Sequence, residues 1–337
     1  MDVKLAIRKA VEGESLEADE AQSVCEQILK GDVTPAQIGA LIVALRMKGE
    51  TASEILGFAR AMRRAAQGID TKHDTVVDTC GTGGDGLGTF NVSTAAAFVA
   101  AAGGAAVAKH GNRSVSSQCG SADVLTELGV KVDCPREVSQ RCLDEIGICF
   151  LFAPQYHGAM KHAAGPRREI GVRTIFNMVG PLTNPAGAKH QVLGVYSEGI
   201  MDALAQALQQ LGCQHALIVH SSDGHDELTV TTLTHVVEVK PDSIREYNVS
   251  PNRLGLKVAP FEELLGGDAA ENAKIILGIL KGEDTGARAE MVAANAGAAL
   301  YVAGLAETLT EGVEKALGII KSGKALEKLE RLKALTN

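Results

Sequence analysis

Apolar positions recur with helical spacing through the first 66 residues, and no strand-like run interrupts them. Thr34-Pro35 puts a capping hydroxyl before a proline at the favoured first helical position, and Ala36 to Met47 keeps the spacing until Gly49. Thr51-Ala-Ser-Glu54 is a capping box, whose hydroxyl and carboxylate each satisfy a backbone N–H left over at a helix start. It opens a further helix reaching about Gln67. Together these segments predict a small helical domain over residues 1–70.

From Thr75 the pattern changes. TVVDT (75–79) is a strand-like run, followed by a glycine-rich loop and an alanine-rich helical stretch from about Thr94 to Ala102. AAVAK (105–109), VKVD (130–133) and CFLF (149–152) are further strand candidates, separated by helical segments ending at Gly129 and Gly147. VLGVY (192–196) and ALIVH, beginning at Ala216, continue the alternation around a helix from about Ile200 to Leu211. Strands alternating with helices predict a mainly parallel sheet, because each crossover lays a helix on one face. Tyr156 to Asn184 reads as helical turns and loops, and the part from about 165 to 185 is expected to join the helical domain and leave a cleft between two bodies. After Leu228, VTTLTHVVEV and SIREY read as strands, and the chain is mostly helical from about Asn272. The expected fold class is therefore α/β, a small N-terminal helical domain plus a larger α/β domain over residues 71–337.

The candidate chemistry lies where strands end. Gly81-Thr-Gly-Gly-Asp-Gly86 fits a dinucleotide-binding fingerprint by letter, but the ribose-binding acid expected roughly 20 residues later is missing. No Asp or Glu occurs between Asp85 and Asp123. What remains is a strand-to-helix turn with five glycines from Gly81 to Gly88, ending in Thr89, Asn91, Ser93 and Thr94. Such a turn lets backbone N–H groups and a helix N-terminus approach a phosphate or pyrophosphate; a flexible loop with an ordinary cap is the plainer reading of any one residue alone. A second polar loop, Lys109-His-Gly-Asn-Arg-Ser-Val-Ser-Ser117 with Gly120-Ser121, follows the next strand. In an open parallel sheet both loops reach the same edge and can converge on one ligand. A near match to a phosphate-binding P-loop at Gly318–Ala325 ends in Ala where a metal-binding hydroxyl is required, within a helical region.

A third strand end carries Ser221-Ser-Asp-Gly-His-Asp-Glu-Leu-Thr229, with Asp223, Asp226 and Glu227. Carboxylates beside a pyrophosphate repel it unless magnesium lies between them; in isolation such a motif is more often an acidic surface turn. The formal charge of −8 disfavours nonspecific nucleic-acid or membrane-surface binding. The absence of Trp, with only 3% aromatic residues, leaves little material for stacking on single strands. Seven cysteines, Cys25, Cys80, Cys119, Cys134, Cys142, Cys149 and Cys213, form no CxxC pair. They imply reduced thiols and, with no apolar run of signal or membrane-spanning length, a cytoplasmic protein.

GTGGDGLGTFNVST (81–94), KHGNRSVSS (109–117) with GSADVL (120–125), APQYHGAMKHAAGPRREIGVRTIFNMVGPLTNP (153–185) and DGHDELT (223–229) occur in this order. Together they resemble the anthranilate phosphoribosyltransferase family along essentially the whole chain. The resemblance implies the nucleoside phosphorylase/phosphoribosyltransferase type of fold, usually a homodimer formed through the helical domains. It implies that Gly81, Gly84, Asp85, Thr89, Asn91, Val92, Ser93, Thr94, Lys109, His110, Gly111, Asn112, Arg113, Ser114, Val115, Ser116, Ser117 and Ser121 hold phosphoribosyl pyrophosphate. By the same likeness Gly81, Asn112 and Arg167 contact anthranilate, and Ser93, Asp226 and Glu227 bind magnesium, with two ions expected. His110, Tyr156, His157 and Met160 fall on the route by which anthranilate enters, although Tyr156 and Met160 at helical spacing also suit core packing. The choice of Arg167 over Arg168 comes from the family motif alone.

The implied reaction is attack of the anthranilate amine on the ribose anomeric carbon as pyrophosphate departs, through an oxocarbenium-like transition state with inversion. It asks for positioning and charge neutralisation rather than a covalent protein nucleophile. Two alternatives share the fold: a pyrimidine nucleoside phosphorylase-like enzyme, against which the Asp226-Glu227 pair argues, and a catalytically silent nucleic-acid-binding relative, which the negative charge disfavours.

Overall fold

The structure, a computed structural model, describes residues 1–114 and 118–337. Four helices come first, α1 (Val3–Val11), α2 (Ala18–Lys30), α3 (Pro35–Lys48) and α4 (Ala52–Ala65). Both sequence-read caps form: Thr34 with Gln37 starts α3, and Thr51 with Glu54 starts α4. The Glu54 carboxylate is fully buried yet accepts from Leu16 N (2.9 Å), Thr51 N (2.8 Å) and Lys48 Nζ (3.1 Å), so one cap residue also ties the α1–α2 turn to α3.

The remaining chain runs β1 (Val76–Asp78), α5 (Val92–Ala102), β2 (Ala106–Gly111), α6 (Ser121–Glu127), α7 (Arg136–Ile146) and β3 (Ile148–Phe152). The one-turn α8 (Ala153–Tyr156), α9 (Lys161–Ile170) and α10 (Ile175–Val179) precede β4 (His190–Gly194), α11 (Met201–Gln210) and β5 (His215–Ser221). Then follow β6 (Thr234–Lys240), β7 (Ser243–Val249), α12 (Ala269–Leu280), α13 (Ala287–Val302), α14 (Leu309–Ser322) and α15 (Lys324–Thr336). The seven strands lie in the order β3-β2-β1-β4-β5-β6-β7. The first five in that order are parallel and the β5–β6–β7 meander is antiparallel.

Two sequence expectations fail here. VKVD (130–133) forms no strand: Val130 and Val132 are buried, but the segment is a turn between α6 and α7. Lys131 N donates to Thr336 Oγ1 at 3.3 Å, so the two valines fill core space beside α15 rather than join a ladder. VTTLTHVVEV pairs only from Thr234, because Thr229, Thr231 and Thr234 hydrogen-bond among themselves and wind the preceding residues into a turn.

Two cores cover the sheet. One joins α5, α6, α7 and α12–α15 to one face; the other joins α1–α4, α9, α10 and α11 to residues of the opposite face such as Leu193, Val195, Ile218 and Val237. The helical bundle thus docks onto the sheet through α11, and α9 and α10 pack on α2, α3 and α4. Successive crossovers carry the chain one way from β1 to β2 and β3, and the other way from β4 to β5. This topology opens a crevice beyond the carboxyl ends of β1 and β4, where the flanking loops diverge. No described helix is long and apolar enough to cross a membrane.

Candidate functional site

The glycine-rich loop leaves β1 and is pinned across the end of β4. Thr82 N donates to Gly194 O (2.8 Å), and the Thr82 hydroxyl accepts from Tyr196 N (3.1 Å). At Gly81 a Cβ would meet Gly194 O at 2.9 Å and Asp226 Oδ2 at 3.3 Å, so a side chain would close the crevice. Gly83 and Gly84 adopt φ of +64° and +78°, a left-handed backbone that only glycine enters freely. Gly194 has no room either, since a Cβ there would overlap the Asp226 carbonyl.

Lys109, at the end of β2, is buried and donates from Nζ to Thr79 O (3.2 Å), Thr79 Oγ1 (3.3 Å) and Ser93 Oγ (3.2 Å). All three hydrogen-bond partners are neutral, and its charge acts on the neighbouring Asp78 and Glu227 carboxyls. Asp78 accepts from His110 N (3.1 Å) and Asn184 Nδ2 (2.7 Å), and Asn184 also donates to Ala108 O (2.8 Å). Burial pushes the Asp78 carboxyl up to about 6 despite these bonds.

Asp226 and Glu227 line the crevice floor with Thr79, Gly81, Ser93 and Gly194. Both carboxyls are held above their ordinary range. Burial is the main cause for each, reinforced at Asp226 by the Asp85 carboxylate and at Glu227 by Asp226; Lys109 opposes it at Glu227. The pair is clamped from both sides. Before it, the Ser221 hydroxyl accepts from His225 N (2.8 Å), and Asp223 accepts from Ser221, His225 Nδ1 and Thr231. After it, Asn295 of α13 accepts from Leu228 N (3.0 Å) and donates to Leu228 O (2.8 Å). Asn295→Ala leaves that buried N–H and C=O without partners, each worth about 1–3 kcal/mol. The expected result is a lower thermal midpoint together with a raised divalent-cation requirement for activity, measured by melting and by metal titration of the rate.

The second loop closes on itself. Asn112 O accepts from Ala122 N (3.1 Å) and Ser121 Oγ (3.2 Å), while Asp123 accepts from Ser114 N (3.0 Å), Gly120 N (2.9 Å) and Arg113 Nη1 (2.8 Å). Arg113 is thus ion-paired and more than half exposed. At Gly111 a Cβ would strike the Phe150 ring at 2.7 Å. Asn91 spans the two loops, donating to Cys119 O (3.1 Å) and accepting from Asn272 (3.0 Å), so its side chain is spent on architecture. Val92 is buried, Thr89 bridges to Leu265, and the buried Thr94 hydroxyl has no hydrogen-bond partner among the described residues. Val115, Ser116 and Ser117 lie outside the described residues.

Arg167 of α9 is half-buried, with its guanidinium 5.3 Å from the Phe176 ring centroid and no carboxylate partner among the described residues. Its neighbour Arg168 is exposed. The His110 and His157 rings lie 5.2 Å apart, and burial pushes them down to about 3 and about 4, so both are neutral. Tyr156 is buried in the core and Met160 packs against the helical core. Sequence reading missed Arg173, which stacks on Tyr196 at 4.2 Å with Nη2 3.1 Å from where a Gly84 Cβ would stand. It also missed Asn184 and Asn295, because an asparagine amide that supports a distant backbone has no local signature.

Residues 4–66 match the glycosyl transferase family helical bundle domain, and residues 73–326 match the glycosyl transferase family α/β domain. An anthranilate phosphoribosyltransferase of Pelotomaculum thermopropionicum is 52% identical over 99% of this chain and 96% of its own length. One from Citrifermentans bemidjiense is 51% identical over 99% of both chains. This chain belongs to the anthranilate phosphoribosyltransferase family. Its structure resembles the Thermus thermophilus anthranilate phosphoribosyltransferase with a TM-score of 0.94 and 47% identity, over 98% of this chain and 99% of the other. It also resembles the Saccharomyces cerevisiae enzyme in complex with PRPP and Mg, with a TM-score of 0.89 and 26% identity, over 99% and 97%. Family membership gives the crevice at the β1/β4 switch point its context. The glycine loop, Lys109 and the acidic pair meet there, whereas Arg167 lies on α9 against Phe176 on the helical side.

Proposed function

We propose that this chain transfers the phosphoribosyl group of phosphoribosyl pyrophosphate to the amine of anthranilate, releasing pyrophosphate, in tryptophan biosynthesis. The observation that carries the reading is the meeting, at one strand-end crevice, of an N–H-rich glycine loop, a buried lysine and a carboxylate pair lacking charge balance.

That pair suits a hard cation. Asp226 and Glu227 are all-oxygen donors beside the Ser93 hydroxyl, and their raised proton affinity marks a place where positive charge is wanted. We assign Ser93, Asp226 and Glu227 to magnesium, two ions in all. When bound, magnesium supplies positive charge against the diphosphate as it leaves. The backbone of Gly81 to Gly84, Lys109, and the hydroxyls of Ser114 and Ser121 would hold the diphosphate and ribose phosphate, with N–H groups fixed before the substrate arrives. Arg113, already engaged by Asp123, would shape the second loop as much as contact phosphate. Arg167 and Asn112 would hold the anthranilate carboxylate so that the amine faces the anomeric carbon. Neutral His110 and His157 would flank its route. Enclosure by the helical side would keep water, a competing nucleophile, away. We place the enzyme in the cytoplasm as a homodimer; the exposed Leu5, Val11 and Met47 on α1 and α3 are available for such an interface.

The test is depletion of anthranilate fluorescence with phosphoribosyl pyrophosphate, with and without magnesium. Magnesium-dependent loss of signal with release of pyrophosphate is expected. Folded protein that fails to turn over under these conditions overturns the reading.

A further inference from the structure

Asp78, Cys80 and His110 bring a carboxylate oxygen, a thiol sulfur and a ring nitrogen to within 4.8 Å of one another. None of them belongs to the magnesium set. Asp78 ends β1 and His110 is the penultimate residue of the adjacent parallel strand β2, and their register holds Val77 opposite Val107. Asp78 is fully buried and His110 is 4% exposed, and neither ring nitrogen of His110 has a hydrogen-bond partner among the described residues. Two idle nitrogens on a buried imidazole are costly, because each polar atom left without a partner loses about 1–3 kcal/mol. The carboxylate, by contrast, is held in place. Asp78 Oδ1 accepts from His110 N and Oδ2 from Asn184 Nδ2, bonds that use only part of its accepting capacity and orient it as an outer shell orients a ligand.

We propose that Asp78, Cys80 and His110 form a second metal site, selective for a thiophilic divalent ion of the zinc class. The donor set of one oxygen, one sulfur and one imidazole nitrogen suits zinc or cobalt and is foreign to magnesium. Charge balance agrees, since a carboxylate and a thiolate together neutralise a divalent ion in a buried place. Binding breaks the Cys80 S–H bond and forms a sulfur–metal bond, and the proton passes to solvent. Three protein ligands leave a fourth position for another donor, and the His157 ring lies 5.2 Å from His110. Occupancy therefore obstructs the acceptor side and inhibits the enzyme. The inhibition rests on the acceptor assignment made above, whereas the binding does not.

The experiment is a cobalt titration of the full-length protein in saturating magnesium, following the near-ultraviolet thiolate-to-cobalt charge-transfer band. Wild type is expected to develop the band to one equivalent. Cys80→Ser and His110→Gln are expected to bind cobalt at least about 100-fold more weakly, beyond the loss of an outer-shell partner. Cys213→Ser, a buried thiol elsewhere, retains the band. A second measurement needs no variant: X-ray absorption of zinc-loaded wild type should show one sulfur among the ligands. No band in wild type, a band that survives Cys80→Ser, or a zinc shell of nitrogen and oxygen alone overturns the proposal. Zinc binding without inhibition would sink the obstruction and leave the site standing.

Discussion

Replacing Asp226 and Glu227 together by Asn and Gln is expected to lower turnover severely while making the ligand-free protein more stable at neutral pH. Both carboxyls are raised above their ordinary values of 3.8 and 4.5, chiefly by burial, then by Asp85 at Asp226 and by Asp226 and Asp85 at Glu227. A carboxyl whose folded pKa lies above its unfolded pKa binds its proton more tightly in the folded state. Stability is therefore highest below about pH 4 for these groups and falls as pH rises through the folded values. Asp78, pushed up to about 6, contributes with the same sign, so the comparison must be made against the variant rather than against acid alone. Wild-type protein without metal should lose thermal midpoint between pH 5 and pH 8. The double amide variant should keep a flatter profile and exceed wild type at the upper end. Added magnesium should raise the wild-type midpoint and leave the variant unmoved. Activity should fall by roughly 10²–10³-fold or more, the scale seen when a group stabilising transition-state charge is removed. A variant that retains turnover, or one less stable than wild type at pH 8, would remove the acidic pair from the metal assignment.

That trade of stability for function explains where the sequence was readable. The helix starts at Thr34 and Thr51 were legible because a cap is local, complete within four residues. The positions of the two polar loops were legible because glycines and hydroxyls cluster where apolar runs end, and a parallel sheet sends such ends to one edge. VKVD was misread because alternating valines fill a core equally well from a turn, and only α15, some two hundred residues later, decides the matter. The clamp on Asp226 and Glu227 was out of reach for the same reason. Asn295 meets Leu228 across 67 residues, and nothing in the helical pattern of α13 singles it out. Arg173 carries no signal beyond its charge, and its place against Gly84 depends on Tyr196 offering a ring face. Motif order identified the family, but the sequence alone gave no physical reason for Arg167 over Arg168.

The two arginines differ in the structure, and the second large effect is expected from that difference. Arg168 is exposed, whereas Arg167 is half-buried against Phe176, and burial lowers its proton affinity without a carboxylate to offset the cost. On the proposed acceptor role, a guanidinium kept partly out of water with no acidic partner among the described residues is expected to meet an anion that arrives with the substrate. Its planar fork matches a carboxylate in a way that a lysine ammonium cannot. Arg167→Ala is expected to lower kcat/KM for anthranilate by about 10²–10³-fold, equivalent to losing one partner of a desolvated charge pair. The KM for phosphoribosyl pyrophosphate should change little, since Arg167 approaches from α9 rather than from the glycine loop. Arg167→Lys should fall between, keeping charge and losing the paired geometry, and Arg168→Ala should stay close to wild type. Steady-state kinetics with each substrate varied in turn separates these outcomes. A loss shared equally between the two substrates would mean that Arg167 supports the enclosure of the crevice rather than the acceptor, and a large loss at Arg168 would reverse the assignment.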